Sequence, residues 1–140
     1  MTGQQTLTMI KPDAVRNNDT GAILKVITDA GFRIKAIKLI HLTQKQAGQF
    51  YAVHADKSFF EDLTSFMSSG PLMAAILEKE NAVAAFRELI GSTDPRDAAE
   101  GTIRKLFAES KSRNAIHGSD SEENAVTECD FFFSKTERVD

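Results

Sequence analysis

The order of apolar periodicities along this chain predicts an α+β domain running β-α-β-β-α-β, with extra helices and one long irregular segment. Three observations carry that prediction. A chain of 140 residues, 41% hydrophobic and 26% charged, has the size and composition of one globular domain, taken here as residues 1–140, able to bury its own core. Stretches with period two and stretches with apolar residues three and four apart follow one another instead of clustering. The run Leu72–Glu78 is almost wholly apolar, as expected of a strand covered on both faces.

The first element is a strand, Gln5–Ile10, ended by Lys11-Pro12-Asp13 because proline cannot donate to a central ladder. Asp19-Thr20-Gly21 starts a helix whose Ile23, Leu24, Ile27 and Ala30 share a face, and Gly31 stops it. Phe32–Leu42 alternates apolar residues with Lys35 and Lys38, which predicts a long strand with one wet face. Thr43 is placed to cap a helix running to about His54. Ser58 opens another, with Phe59, Leu63, Phe66 and Met67 at helical spacing, and Ser68-Ser69-Gly70-Pro71 is a turn. After the central strand, Asn81 caps a helix carrying Val83, Phe86, Leu89 and Ile90, closed by Gly91. The pattern then weakens to about Ser112, except for a short helix at Thr102–Phe107. So long an irregular segment in a compact domain is usually functional, and this one leads into His117. Ala125–Phe133, rich in apolar and aromatic residues, is taken as the last strand, and the polar residues after Ser134 as a frayed end.

Composition narrows the function. A net charge of −3 argues against broad electrostatic binding of nucleic acid or membranes, so an anion site has to be a local cluster of cations. The lone Cys129, between Glu128 and Asp130, allows no internal disulfide and reads as a buried strand thiol in a reducing compartment. The first residues lack the layout of a signal peptide and no stretch is long enough to span a bilayer, so a cytoplasmic protein is expected. Neither glycine-rich phosphate loop, G-x-x-x-x-G-K-[ST] or G-x-G-x-x-G, is present. His41, His54 and His117 lie far apart, and with one cysteine they offer no zinc-ligand spacing.

The stretch Asn114-Ala115-Ile116-His117-Gly118-Ser119-Asp120-Ser121 sets an imidazole beside glycine, hydroxyls and a carboxylate. With a reference pKa of roughly 6.5, about three quarters of a histidine is uncharged at pH 7 and has a ring lone pair to offer. Ser119, Asp120 and Ser121 could fix which nitrogen is free, and Gly118 would leave room for a bulky group. By itself the stretch fits either a nucleophilic histidine or a histidine in a polar turn. Lys11, Arg87, Arg104 and Arg113 stand at element ends, with Thr93 and Asn114 as neutral donors. They form a phosphate clamp if the fold gathers them and are solvated charges if it does not. Of the adjacent Phe59 and Phe60, one could be exposed for stacking, or both could be core.

Taken together, these residues resemble the nucleoside diphosphate kinase family over nearly the whole chain. The resemblance rests on Thr8-Met9-Ile10-Lys11-Pro12-Asp13-Ala14-Val15, on Phe66-Met67-Ser68-Ser69-Gly70-Pro71, on Gly101-Thr102-Ile103-Arg104, and on Arg113 through Ser121 around His117. It implies a ferredoxin-like α/β sandwich with a four-stranded antiparallel sheet. It implies an enzyme that moves the γ-phosphoryl of ATP or another nucleoside triphosphate to a nucleoside diphosphate, sustaining nucleotide pools, through phosphohistidine at His117. It also assigns expected roles. Lys11, Arg104 and Asn114 would contact the phosphates or ribose, and Arg87 and Thr93 the β-phosphate region. Tyr51 would pack beside His117, while Ser119 and Glu128 would orient its ring. Phe59 would stack on the base, with Leu63 in the pocket wall. Magnesium would ride on the nucleotide, with Asp120 reaching it through water and no direct protein ligand. A homo-oligomer is implied, tetramer or hexamer, built from a common dimer, and no membrane or specific nucleic-acid partner. The chain departs from the family pattern at Lys111, whose alkyl stem would cover the far side of the base, and at Ala99-Glu100, where many relatives carry proline.

Overall fold

The computed structural model describes residues 4–140, so the first three of the range 1–140 lie outside the described residues. Four strands, β1 (Gln5–Ile10), β2 (Arg33–Ile40), β3 (Leu72–Glu78) and β4 (Ile116–Gly118), form one antiparallel sheet in the order β2-β3-β1-β4. The helices are α1 (Pro12–Arg16), α2 (Thr20–Asp29), α3 (Gln44–Phe50), α4 (Phe60–Met67), α5 (Ala82–Ile90), α6 (Ile103–Phe107) and α7 (Glu122–Phe132).

Strand alternation feeds two cores. Leu7 and Met9 of β1, with Ala74 and Ile76 of β3, pack against Met67, Cys129 and Phe132 on one face. Ile10, Ala75 and Leu77 pack on the other face against Ile23, Ile27, Phe86 and Ile90. Phe86 is fully buried, a contribution of about 1.5–3 kcal/mol. With helices on both faces, β3 is buried along nearly its whole length, as its apolar run requires. Thr43 caps α3 in a full capping box with Gln46, and Thr102 caps α6. At the start of α5, Asn81 takes a left-handed conformation (φ 56°) and its side chain makes no capping bond.

Two expectations fail at the C-terminal end. Ala125–Phe133 is helix, not strand: Ser121 accepts from the Asn124 amide, Glu122 and Glu123 occupy the first turn, and Ala125, Cys129 and Phe132 form a buried stripe at spacings of four and three. The strand that completes the sheet is the three-residue β4, too short to show a periodicity of its own. The tail after Ser134 is also anchored. Ser134 and Glu137 form a capping box over a 3-10 turn, and the Val139 amide donates to Lys35 O at 2.9 Å on β2.

Candidate active site

β4 is short but central, paired with β1 so that His117 stands opposite Met9. The Thr8 hydroxyl fixes the strand by donating to the His117 carbonyl at 2.8 Å. α7 then returns over the sheet and carries Glu128 back to the ring. Nε2 of His117 lies 2.8 Å from Glu128 Oε1, and the Ser119 hydroxyl donates to the same oxygen at 2.7 Å. Ser119 is itself held by the Leu7 amide at 3.1 Å. A carboxylate oxygen accepts, so the proton sits on Nε2 and the lone pair is on Nδ1. Among the described residues none hydrogen-bonds to Nδ1.

Burial holds the His117 imidazole below its usual range, outweighing the upward pull of the Glu128 hydrogen bond and charge, and Lys11 and Arg104 depress it further. The ring is therefore neutral at pH 7. Its side chain is still 18% exposed, facing a cavity of about 240 Å³. Tyr51, Arg87, Thr93, Arg104 and Asp120 line that cavity with His117 and Glu128. Phe50 supports the ring edge-on, with centroids 5.6 Å apart. Burial and the Glu128 charge push the Tyr51 phenol well up, and its hydroxyl has no partner among the described residues.

The cations do converge. Arg104, from α6, is buried and donates to Ile116 O at 2.7 Å and Gly91 O at 3.1 Å. Arg87, from α5, donates to Gly118 O at 3.3 Å. Burial brings Arg104 down to about 10, with Arg87 adding to the fall. Lys11, at the end of β1, is buried with its ammonium on Asn114 Oδ1 at 2.9 Å, and burial followed by Arg104 lowers it to about 8.

A second cavity of about 930 Å³ runs from Lys11 and Asn114 out to Phe59, Leu63 and Lys111, and Thr93 lines both spaces. Phe59 is 49% exposed at the head of α4, whereas its neighbour Phe60 packs on the core. The sequence-predicted residues thus gather around two adjoining cavities, with Ser119 buried behind Glu128. Arg113 stands apart from Lys11, Arg87 and Arg104, its guanidinium 4.0 Å over the Phe66 ring in the wall of the larger cavity. Gly118 does not make room for a ligand. A Cβ there would meet Phe86 Cδ2 at 2.9 Å, so the missing side chain lets β4 lie close on α5. Cys129 is buried as expected but on a helix, and burial pushes its thiol up to about 12.

Sequence reasoning missed His54 and Asp13. His54, read as a helix end and set aside as a zinc ligand, lines the smaller cavity with its ring 5.7 Å from Phe59. Asp13, given no role beyond ending the first strand and belonging to the Thr8–Val15 motif, is buried and accepts from the Ala115 amide at 3.1 Å. No grouping of acidic, histidine or cysteine side chains able to hold a metal ion by itself occurs among the described residues. Nor is any of their helices long and apolar enough to cross a membrane.

The family model described as nucleoside diphosphate kinase matches residues 4–138. The chain is 58% identical to the nucleoside diphosphate kinase of Chlorobium chlorochromatii over 136 residues, 97% of each protein. Among solved structures, it superposes on the Aquifex aeolicus nucleoside diphosphate kinase with a TM-score of 0.95 at 46% identity, covering 97% of this chain and 99% of that one. It also superposes on a halophilic nucleoside diphosphate kinase from Halobacterium salinarum in complex with CDP, with a TM-score of 0.94 at 37% identity, covering 99% and 92%.

Proposed function

The chain belongs to the nucleoside diphosphate kinase family, and from that premise we propose how its own residues carry out the reaction. That reaction is transfer of the γ-phosphoryl group from a nucleoside triphosphate to a nucleoside diphosphate, in ping-pong fashion through phosphohistidine. The observation that carries the residue assignment is a neutral imidazole tied through Nε2, with its other nitrogen free and the buried cations Lys11 and Arg104 close by.

In the first half-reaction the Nδ1 lone pair of His117 attacks the γ-phosphorus. The nitrogen–phosphorus bond forms as the bond to the bridging oxygen breaks, and a nucleoside diphosphate leaves. The ring takes up positive charge, which the Glu128 carboxylate 2.8 Å away stabilises. In the second half a terminal oxygen of another nucleoside diphosphate attacks the same phosphorus, and the neutral ring is returned. Lys11, Arg87 and Arg104 stabilise the phosphate charge, with Thr93 and Asn114 as hydrogen-bonding groups beside it. Tyr51 closes the cavity beside the ring as a neutral phenol. Phe59 stacks on the base, Leu63 forms the wall, and the Lys111 stem covers the far side. Stacking does not read base edges, which suits exchange among different nucleotides.

A divalent cation, taken here as magnesium, neutralises phosphate charge when bound with the nucleotide. The residues fit such a cation, because the exposed Asp120 carboxylate on the cavity rim can face it through water and no protein cage is needed. The same reading makes residues 1–140 one domain, in a cytoplasmic homo-oligomer, tetramer or hexamer, built from a dimer.

Incubation with γ-labelled ATP tests the assignment. The protein should take up label that is acid-labile and alkali-stable, and pass it to GDP or dCDP. His117→Ala should abolish it, and label retained by that variant would move the nucleophile elsewhere.

A further inference from the structure

Ala115, two residues before His117, has φ 74°, a left-handed conformation that costs a residue with a Cβ about 1–2 kcal/mol. Both of its peptide groups are held from the β1–α1 junction. Its carbonyl accepts from the Lys11 amide at 2.8 Å, and its amide donates to Asp13 Oδ2 at 3.1 Å. The same turn presents Asn114 to the Lys11 ammonium and starts β4 in register with β1. Asp13 is only 3% exposed, and its other oxygen, Oδ1, is buried with no partner among the described residues. A buried carboxylate with one oxygen unpaired is costly to keep, which calls for a role beyond one hydrogen bond.

We propose that Asp13 is a positioning residue for the phosphoryl transfer described above. Its hydrogen bond holds the left-handed turn that sets Lys11, Asn114 and His117 against one another, and its buried carboxylate supplies a counter-charge at the junction that carries the Lys11 ammonium. The inference rests on that reaction being the one this site performs. The charged groups that bear on Lys11 are Asp13 from α1, Arg104 from α6 and the titratable ring of His117 from β4. Of these Asp13 alone is negative, and it opposes both burial and Arg104, while Asp62, Asp94 and Glu109 line the larger cavity that Lys11 opens into. Without it the ammonium stands buried beside a guanidinium with no counter-charge from those elements.

The test uses the full chain carrying Asp13→Asn or Asp13→Ala, with kcat/KM for ATP followed from pH 6 to 10 beside the unaltered protein. Asparagine keeps an oxygen for the Ala115 amide and loses the charge. Near pH 6.5 its kcat/KM should stay within a few-fold of the unaltered protein's, while the alkaline limb moves to lower pH by about one pH unit. Alanine loses both contributions, so kcat/KM should also fall about tenfold at pH 6.5. Adding Ala115→Gly should recover part of that loss, because glycine takes φ > 0 without penalty. The 13C titration of the Lys11 side chain by NMR needs no turnover, so it reads the Asp13 effect even if the phosphotransfer assignment fails. An Asp13→Asn protein whose Lys11 titrates as in the unaltered chain would overturn the proposal, as would no recovery with Ala115→Gly. If Asp13→Asn fails to fold even with Ala115→Gly, Asp13 serves the fold alone and the proposal is equally overturned.

Discussion

Oε1 of Glu128, on the second turn of α7, lies 2.8 Å from Nε2 of His117 on β4, two elements separated by one short turn. This contact sets the tautomer of the ring and leaves Nδ1 for chemistry. In the proposed reaction it also places a negative charge beside the ring as that ring takes up positive charge.

Glu128→Gln keeps an oxygen near Nε2 and removes that charge. Loss of a charge-assisted hydrogen bond of ~1.5–3 kcal/mol should lower kcat/KM by about 10- to 100-fold with the fold retained. Steady-state kinetics with a thermal melt check this. An unchanged kcat/KM would mean that Glu128 only packs beside the ring.

The two depressed groups set the pH dependence of the free enzyme. His117 titrates below the ordinary 6.5, so the ring remains nucleophilic down to pH values under that figure. Lys11 is held at about 8 instead of 10.5, so its ammonium is charged below that pH and lost above it. The profile of kcat/KM should be flat between the two and fall as pH rises through about 8. Bound phosphate favours the charged lysine, so the corresponding limb of kcat should lie at higher pH. A Lys11→Arg protein, at whatever lower rate, should lose the alkaline limb, since guanidinium stays protonated. A limb that persists in that variant would assign it to another group.

Phe59 is half exposed and contributes little to the core. Phe59→Ala should weaken all nucleotides by a similar factor, that of ~1–3 kcal/mol of stacking, while the melting temperature barely moves. Calorimetric binding of purine and pyrimidine diphosphates measures it. An effect confined to purines would contradict base-independent stacking.

Gly118 faces Phe86 and Ile90 so closely that a Cβ would sit 2.9 Å from one ring carbon. Gly118→Ala should cost ~1–3 kcal/mol of stability through overpacking, read by urea denaturation, and should shift β4 enough to reduce turnover. A fully stable variant would show that α5 can give way.

Much of this architecture was legible because it is local. The apolar run of Leu72–Glu78, the Thr43 and Thr102 caps and the helical stripe of Ile23 and Ile27 each state their structure within a few residues. Ala125–Phe133 resembles a strand in its apolar and aromatic content, whereas the spacing of its buried residues is helical. The Ser121 cap and the stripe Ala125, Cys129, Phe132 were the available helical signal. β4 had no such signal, since three residues become a strand only by pairing with β1. The same holds for the tail, whose order comes from contacts with β2 and α7.

The amino-acid sequence by itself determined the family, the candidate histidine and the residue types that accompany it, because those follow from identity and order along the chain. Tertiary structure alone decided which imidazole nitrogen is free, how far burial moves Lys11 and His117, and that Asp13 and His54 stand at the site. The reason is physical: desolvation, hydrogen-bond geometry and charge–charge interaction depend on distances through space, and those exist only once β1, α6, β4 and α7 have packed together.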